Sequence, residues 1–290
     1  VLRAEMIFLQ MKKLYESGKF DTKPNVVSYN SVMDCWAKSS SKGSAEKAET
    51  ILREMQDLYK TGDRELKPEV VSYSTVINAY AKEGNADRAE AILEEMYQDY
   101  EQGNHDAKPN VHSFSTVLSA WSKSRSAEGA ERAEMILLRM KKLYESGKFD
   151  TKPDVISYSS VMDCWAKSSS KGSAEKAEQL FREMQAVYKS GDKALKPNVI
   201  SFTTVINAWA NECSKFGGNE AVGKAQSLLT EMLTLAEKGD SKMMPNTFTY
   251  NTVLKTIAFS SLPDKVEWAK IILENMIHHG VERNSFIMKQ

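Results

Sequence analysis

The octapeptide KPNVVSYN at residues 23–30 returns five times: as KPEVVSYS at 67, KPNVHSFS at 108, KPDVISYS at 152, KPNVISFT at 196 and MPNTFTYN at 244. Its prolines, at 24, 68, 109, 153, 197 and 245, stand 44, 41, 44, 44 and 48 residues apart. A period of this size marks one supersecondary unit repeated along the chain. It replaces the one or two globular domains that 290 residues would otherwise imply.

Inside one period, apolar residues recur at helical spacing twice. Val26, Tyr29, Val32, Met33 and Trp36 make one stripe, and Ala45, Ala48, Ile51, Leu52 and Met55 make a second. The polar loop SSSKGS separates them, and Gly62 ends the second run before the next Lys-Pro. A proline just ahead of a helix brings a fixed φ and no amide hydrogen in need of a partner. First helices are therefore expected from about Val26 (to Lys38), Val70, Val111, Val155, Val199 and Thr247. Second helices should pivot on the small residues Ala48, Ala89, Ala133, Ala177, Ala225 and Ala269. Residues 1–18 read as a second helix whose partner is missing, and 211–220, with Gly217 and Gly218, as the longest inter-helix loop. No β pattern appears.

A pair of helices with one apolar face each cannot bury those faces alone, so neighbouring pairs must stack. The expected fold is all-α, an α-solenoid of stacked helix-turn-helix repeats in a right-handed superhelix. It should form a single array: a partial repeat at 1–25, full repeats at 26–69, 70–110, 111–154, 155–198, 199–246 and 247–284, and the start of a truncated one at 285–290. Because the chain opens and closes inside a unit, it reads as a fragment.

Composition narrows the function. With 41% hydrophobic and 27% charged residues the chain is of ordinary soluble type, and no apolar run reaches the length of a membrane span. Arg3 and Glu5 break any secretory leader at the start. Three cysteines, Cys35, Cys164 and Cys213, are too few and odd in number for a disulfide framework, and two share one slot of the repeat, which points to packing. Net charge is zero, which counts against nucleic-acid binding through bulk charge.

Period alone leaves HEAT repeats in play, at about 40–47 residues. The motif decides otherwise. Units that end in KP[NDE], restart V-x-[ST]-[YF]-[NST]-[ST]-[VL] and continue A-[YW]-[AS]-K, with second helices such as AEKAE–ILREM, resemble the pentatricopeptide repeat. The resemblance spans the chain, although these units are longer than the family's usual repeat. It implies binding of single-stranded RNA, one base per repeat. It also implies a mitochondrial or plastid setting. In that family the second and fifth residues of the first helix and the last residue of the unit face RNA. Carried over, the base-sandwiching residues are Val27, Val71, His112, Ile156, Ile200 and Phe248. The fifth positions are Asn30, Ser74, Ser115, Ser159, Thr203 and Asn251, and the last positions Glu69, Asn110, Asp154, Asn198, Asn246 and Asn284.

The chain carries its own control. Residues 11–49 and 140–178 differ at three positions: Asn25 against Asp154, Val27 against Ile156, and Asn30 against Ser159. These are a last, a second and a fifth position, the pattern expected of duplication followed by a change of base preference. By the resemblance, Ser or Thr with Asn favours A, Ser with Asp favours G, and Asn with Asn favours C. Asn30 with Glu69 departs from the pattern and is read as a pyrimidine, U first. The implied site is 5′-UAGAAC-3′.

Phosphates need cations. Residue 13 of the units, a slot that faces the RNA backbone in the family, is Lys38, Lys82, Lys123 and Lys167, then Asn211 and Phe259. A lysine ending a helix can equally complement the helix dipole. The four histidines form no HExxH or deaminase-type pattern, and no phosphate loop or nucleophile elbow is present. No catalytic residue, cofactor, metal, membrane or small-molecule substrate is expected. The competing reading is a helical protein–protein scaffold, so protein partners stay open. Asn, Ser and Thr alone at the fifth position, and Asn, Asp and Glu alone at the last, favour RNA.

Overall fold

The structure, a computed structural model, describes residues 2–19, 21, 23–39, 41–168 and 170–281. Among these residues it is all-helical. A single helix, α1 (Leu2–Glu16), is followed by six hairpins. These are α2 (Val26–Ala37) with α3 (Ser44–Lys60), α4 (Val70–Glu83) with α5 (Ala86–Glu101), and α6 (Val111–Trp121) with α7 (Ala127–Glu145). Then come α8 (Val155–Ser168) with α9 (Ser173–Lys189), α10 (Val199–Phe216) with α11 (Glu220–Glu237), and α12 (Thr247–Phe259) with α13 (Lys265–His278). The helical hairpins form the stacked units of an α-solenoid.

The chain divides into two compact units, Val1–Lys123 with Leu138–Lys152, and Ser124–Leu137 with Pro153–Gln290. In the first, α4 packs on α2, α3, α5 and α6. In the second, α10 packs on α8, α9, α11 and α12. α4 and α10 thus each touch their own partner, both neighbouring first helices and the preceding second helix. This burial pattern is the reason no hairpin is self-sufficient.

The same residues do the packing in every hairpin. Tyr29, Tyr73, Phe114, Tyr158, Phe202 and Tyr250, four residues into their helices, are buried, as are the apolar pairs after them, from Val32 and Met33 to Val205 and Ile206. Ala48, Ala89, Ala133, Ala177 and Ala225 are wholly buried, as close helix approach requires; Ala269 is only half-buried. Successive hairpins are also joined by a polar clamp. The indoles of Trp121, Trp165 and Trp209 donate to Glu90, Glu134 and Glu178, each 31 residues earlier, at 2.8, 3.1 and 3.1 Å. Tyr80 donates to Glu49 in the same way.

Two sequence expectations need correction. The stretch 211–220 is not a loop: α10 continues to Phe216, and only residues 217–219 connect it to α11. Buried Cys213 and the bonded carboxylate of Glu212 hold the extra turn helical until Gly217, whose φ of 73° stops it. Nor does Lys-Pro directly follow the glycine that ends a second helix. A short 3₁₀ turn intervenes at Arg64–Leu66, His105–Ala107, Lys193–Leu195 and Ser241–Met243. Each buries one apolar residue: Leu66, Ala107, Leu195 or Met243. The lysine of one linker then pairs with the aspartate of the next, Lys67 with Asp106 at 2.7 Å and Lys196 with Asp240 at 2.6 Å. Much of the extra repeat length is therefore a packed connector.

Candidate nucleic-acid interface

The last-position residues are helix N-caps. Their side-chain oxygens accept the third backbone N–H of the next first helix: Asn110 from Ser113 at 3.0 Å, Asp154 from Ser157 at 2.8 Å, Asn198 from Ser201 at 2.9 Å and Asn246 from Thr249 at 3.0 Å. Asn25 does the same for Ser28 at 3.2 Å. Asn and Asp are among the best caps because a short side-chain oxygen reaches an orphan amide. Capping alone accounts for the restricted chemistry of this slot, so that restriction does not separate RNA binding from a scaffold. The cap does, however, leave one group over. In Asn it is the Nδ2 amide, a donor; in Asp it is the second carboxylate oxygen, an acceptor.

Glu69, one methylene longer, behaves differently. Its carboxylate accepts from Asn30 Nδ2 at 2.8 Å, so the off-pattern first pair is joined directly. Asn30 Oδ1 in turn accepts from Ser72 Oγ at 2.8 Å. The other fifth-position residues sit low on the same face. Ser115 and Thr203 are buried, and Ser74, Ser159 and Asn251 are half-buried. Ser74 Oγ lies 3.4 Å from Ser113 Oγ, and Thr203 Oγ1 lies 2.9 Å from Thr249 Oγ1. Ser159 Oγ and Asn251 Oδ1 are buried with no hydrogen-bond partner, an arrangement that costs about 1–3 kcal/mol for each polar atom.

The second-position residues point the other way. Val27, Val71, Ile156, Ile200 and Phe248 are 69%, 54%, 62%, 66% and 63% exposed, and His112 is exposed as well. One large side chain per repeat, five of six apolar, therefore stands in solvent beside a capped polar residue. Scattered exposed apolar residues need no explanation, but a periodic row of them does.

The four lysines are less free than the sequence implied. Lys82 and Lys123 donate to the carbonyls of Ala37 and Ala81, near the end of the preceding first helix, at 2.9 and 2.7 Å. Lys38 and Lys167 pair with Asp34 and Asp163 one turn back, at 2.6 and 2.5 Å. Asn211 keeps the carbonyl contact of the slot, to Ala166 at 2.9 Å. An ammonium has three protons, so a further acceptor is not excluded by one bond. Sequence reasoning missed a cationic cleft of about 700 Å³ in the second unit, lined by Arg125, Lys167, Lys215, Asn207, Asn211 and Ser214. Arg125 and Lys215 lie beyond the residue-13 slot, which hid them.

It also missed the third-position hydroxyls, although Asn or Asp followed three residues later by Ser or Thr is itself a capping signature. Asn284 lies outside the described residues. Of the cysteines, Cys164 is buried, and burial pushes its thiol up to about 12. His279 closes α13, its Nδ1 3.3 Å from the Tyr250 hydroxyl and 2.7 Å from the Asn275 carbonyl. Among the described residues, no group of three or more His, Cys, Asp or Glu could hold a metal ion, and no helix is long and apolar enough to cross a membrane.

Comparison with known families finds the PPR repeat twice. One match covers residues 64–97, from the 3₁₀ linker through α4 into α5; the other covers residues 156–186, across α8 and most of α9. No curated protein matches the sequence.

Proposed function

The chain is a pentatricopeptide repeat protein, whose repeats support RNA binding, and on that premise we propose that it binds single-stranded RNA sequence-specifically, one base per repeat. The observation that carries this reading is the row of exposed second-position side chains beside half-engaged polar pairs. A base wedged between Val71 and His112, or between Ile200 and Phe248, covers apolar surface that is otherwise wet. Such stacking gives about 1–3 kcal/mol per base without choosing its identity. The choice falls to the fifth and last residues. The spare amide of Asn110, Asn198 and Asn246 donates, while the spare oxygen of Asp154 accepts, which suits the N1–H and N2 donors of guanine. Asn30, whose amide also carries a proton beyond the one given to Glu69, suits the carbonyls of uracil.

The proposed site is 5′-UAGAAC-3′, read by the repeats in chain order. Its setting would be the processing, stability or translation of an organellar RNA. Phosphates would meet the ammonium groups of Lys38, Lys82 and Lys123 and the cleft that Lys167 lines with Arg125 and Lys215.

The test is binding to an RNA carrying UAGAAC in a U-rich context against UAAAAC, for the chain and for Asp154→Asn, at two salt concentrations. The wild type should prefer the G oligonucleotide, and the variant should reverse that order while keeping its helix cap. Equal, strongly salt-sensitive binding to both would reduce the protein to a backbone binder. Binding to neither would transfer the exposed row to a protein-binding scaffold.

A further inference from the structure

We infer that the buried third-position hydroxyls of Ser72, Ser113 and Thr249 are positioning groups that set which way the base-facing pair presents its proton. The inference rests on the base-reading function proposed above. It is clearest at Thr249. Asn246 Oδ1 accepts from the Thr249 amide at 3.0 Å and from the Thr249 hydroxyl at 3.1 Å. A backbone N–H can only donate, so the atom facing it must be the oxygen of Asn246, and Nδ2 is turned away. Thr249 has one hydroxyl proton, and it is directed to Asn246. The 2.9 Å contact between Thr249 Oγ1 and Thr203 Oγ1 therefore has Thr203 as donor. Thr203 is left with lone pairs for a ligand, and Asn246 with an amide donor.

That order matters because bases differ in the sequence of donors and acceptors along one edge. Adenine offers the N6 donor and then the N1 acceptor, so an acceptor at Thr203 and a donor at Asn246 match it. In the same register guanine sets O6 against lone pairs and N1–H against the amide. A Thr203 hydroxyl released from Thr249 could turn its proton outward and serve either base. The second repeat shows the same chain, Ser74 to Ser113 at 3.4 Å and Ser113 to Asn110 at 3.2 Å. The first repeat shows it redirected: with Glu69 drawn to Asn30, Ser72 Oγ accepts from the Glu69 amide at 3.2 Å and donates to Asn30. Ser72, Ser113 and Thr249 are wholly buried, so no base touches them, and their effect on base choice would be indirect.

The decisive variant is Thr249→Val, which keeps the shape and removes the hydroxyl, with Thr249→Ser as the conservative rescue. Affinities of the full chain for UAGAAC and UAGAGC read the fifth base, and UAGAAC against UGGAAC reads the second as an internal control. We expect T249V to lower the A-over-G preference at the fifth base about fivefold, the scale of one net hydrogen bond, with the second base unaffected. T249S should restore it. A merely structural role would weaken both oligonucleotides equally and would not restore selectivity through Ser. If T249V melts too early to assay, Ser113→Ala reads the second base by the same logic. Full A-over-G preference in a folded variant lacking the hydroxyl would overturn the relay alone. A wild-type chain that binds RNA with no preference at either base would overturn the base reading and the relay's role in it together.

Discussion

At Glu49, burial and bonding pull acidity in opposite directions. Desolvation alone would raise its carboxyl, but Arg88, Tyr80 and Arg53 all donate to it and together hold it at about 2. A carboxyl whose folded value lies below its unfolded one of 4.5 stabilises the fold fully above that pH and loses the contribution as pH falls toward 2. The shift sets an upper bound of about 3 kcal/mol. Urea midpoints of wild type and Glu49→Gln, measured from pH 7 to 2.5, should therefore converge on acidification. Parallel curves would show that the carboxylate charge adds nothing. The half-buried carboxylates of Glu90, Glu134 and Glu178 take an indole N–H where Glu49 takes a phenol.

At the scale of the helix, two starts are capped from outside. α3 and α9 follow Gly43 and Gly172, which have no side chain with which to cap. The next hairpin supplies the acceptor. Glu83 takes the Ala45 amide at 2.9 Å and the Ser44 hydroxyl at 3.0 Å, and Glu212 takes the amides of Gly172 and Ala174 at 3.0 and 2.8 Å. Glu212→Ala should cost about 1 kcal/mol, the usual value of a lost cap, with faster amide exchange confined to the first turn of α9. Exchange unchanged there would mean that water replaces the carboxylate without loss. These caps also mark the limit of what the sequence makes legible. Apolar spacing and prolines located the helix starts at Val26, Val70, Val111, Val155, Val199 and Thr247, because those signals are local. Glu212 could not be read locally: its partners lie some 40 residues away, so its turn of α10 looked like polar loop. Asn110 and Asn246 were legible as a recurring short polar slot, yet their capping role was hidden behind the expected base-reading one, since both call for the same short amide.

For the molecule as a whole, neutrality sets the terms of any RNA complex. Four lysines at the repeat slot can displace at most four phosphate counterions, and each is already held by a carbonyl or an aspartate. A log–log plot of affinity against salt should fall with a slope no steeper than about −3. A steeper slope would require cations beyond the four, first of all Arg125 and Lys215. Within the two near-identical segments, Asn25 and Asp154 both fasten a helix through one oxygen and differ only in the group left over. Exchanging one for the other changes the outward group without loosening the clasp. If these residues read bases as proposed, a duplicated copy can wander from one RNA letter to another while staying folded at every step, and an engineer rewriting this chain inherits the same freedom, with an alphabet confined to side chains short enough to tie off a helix.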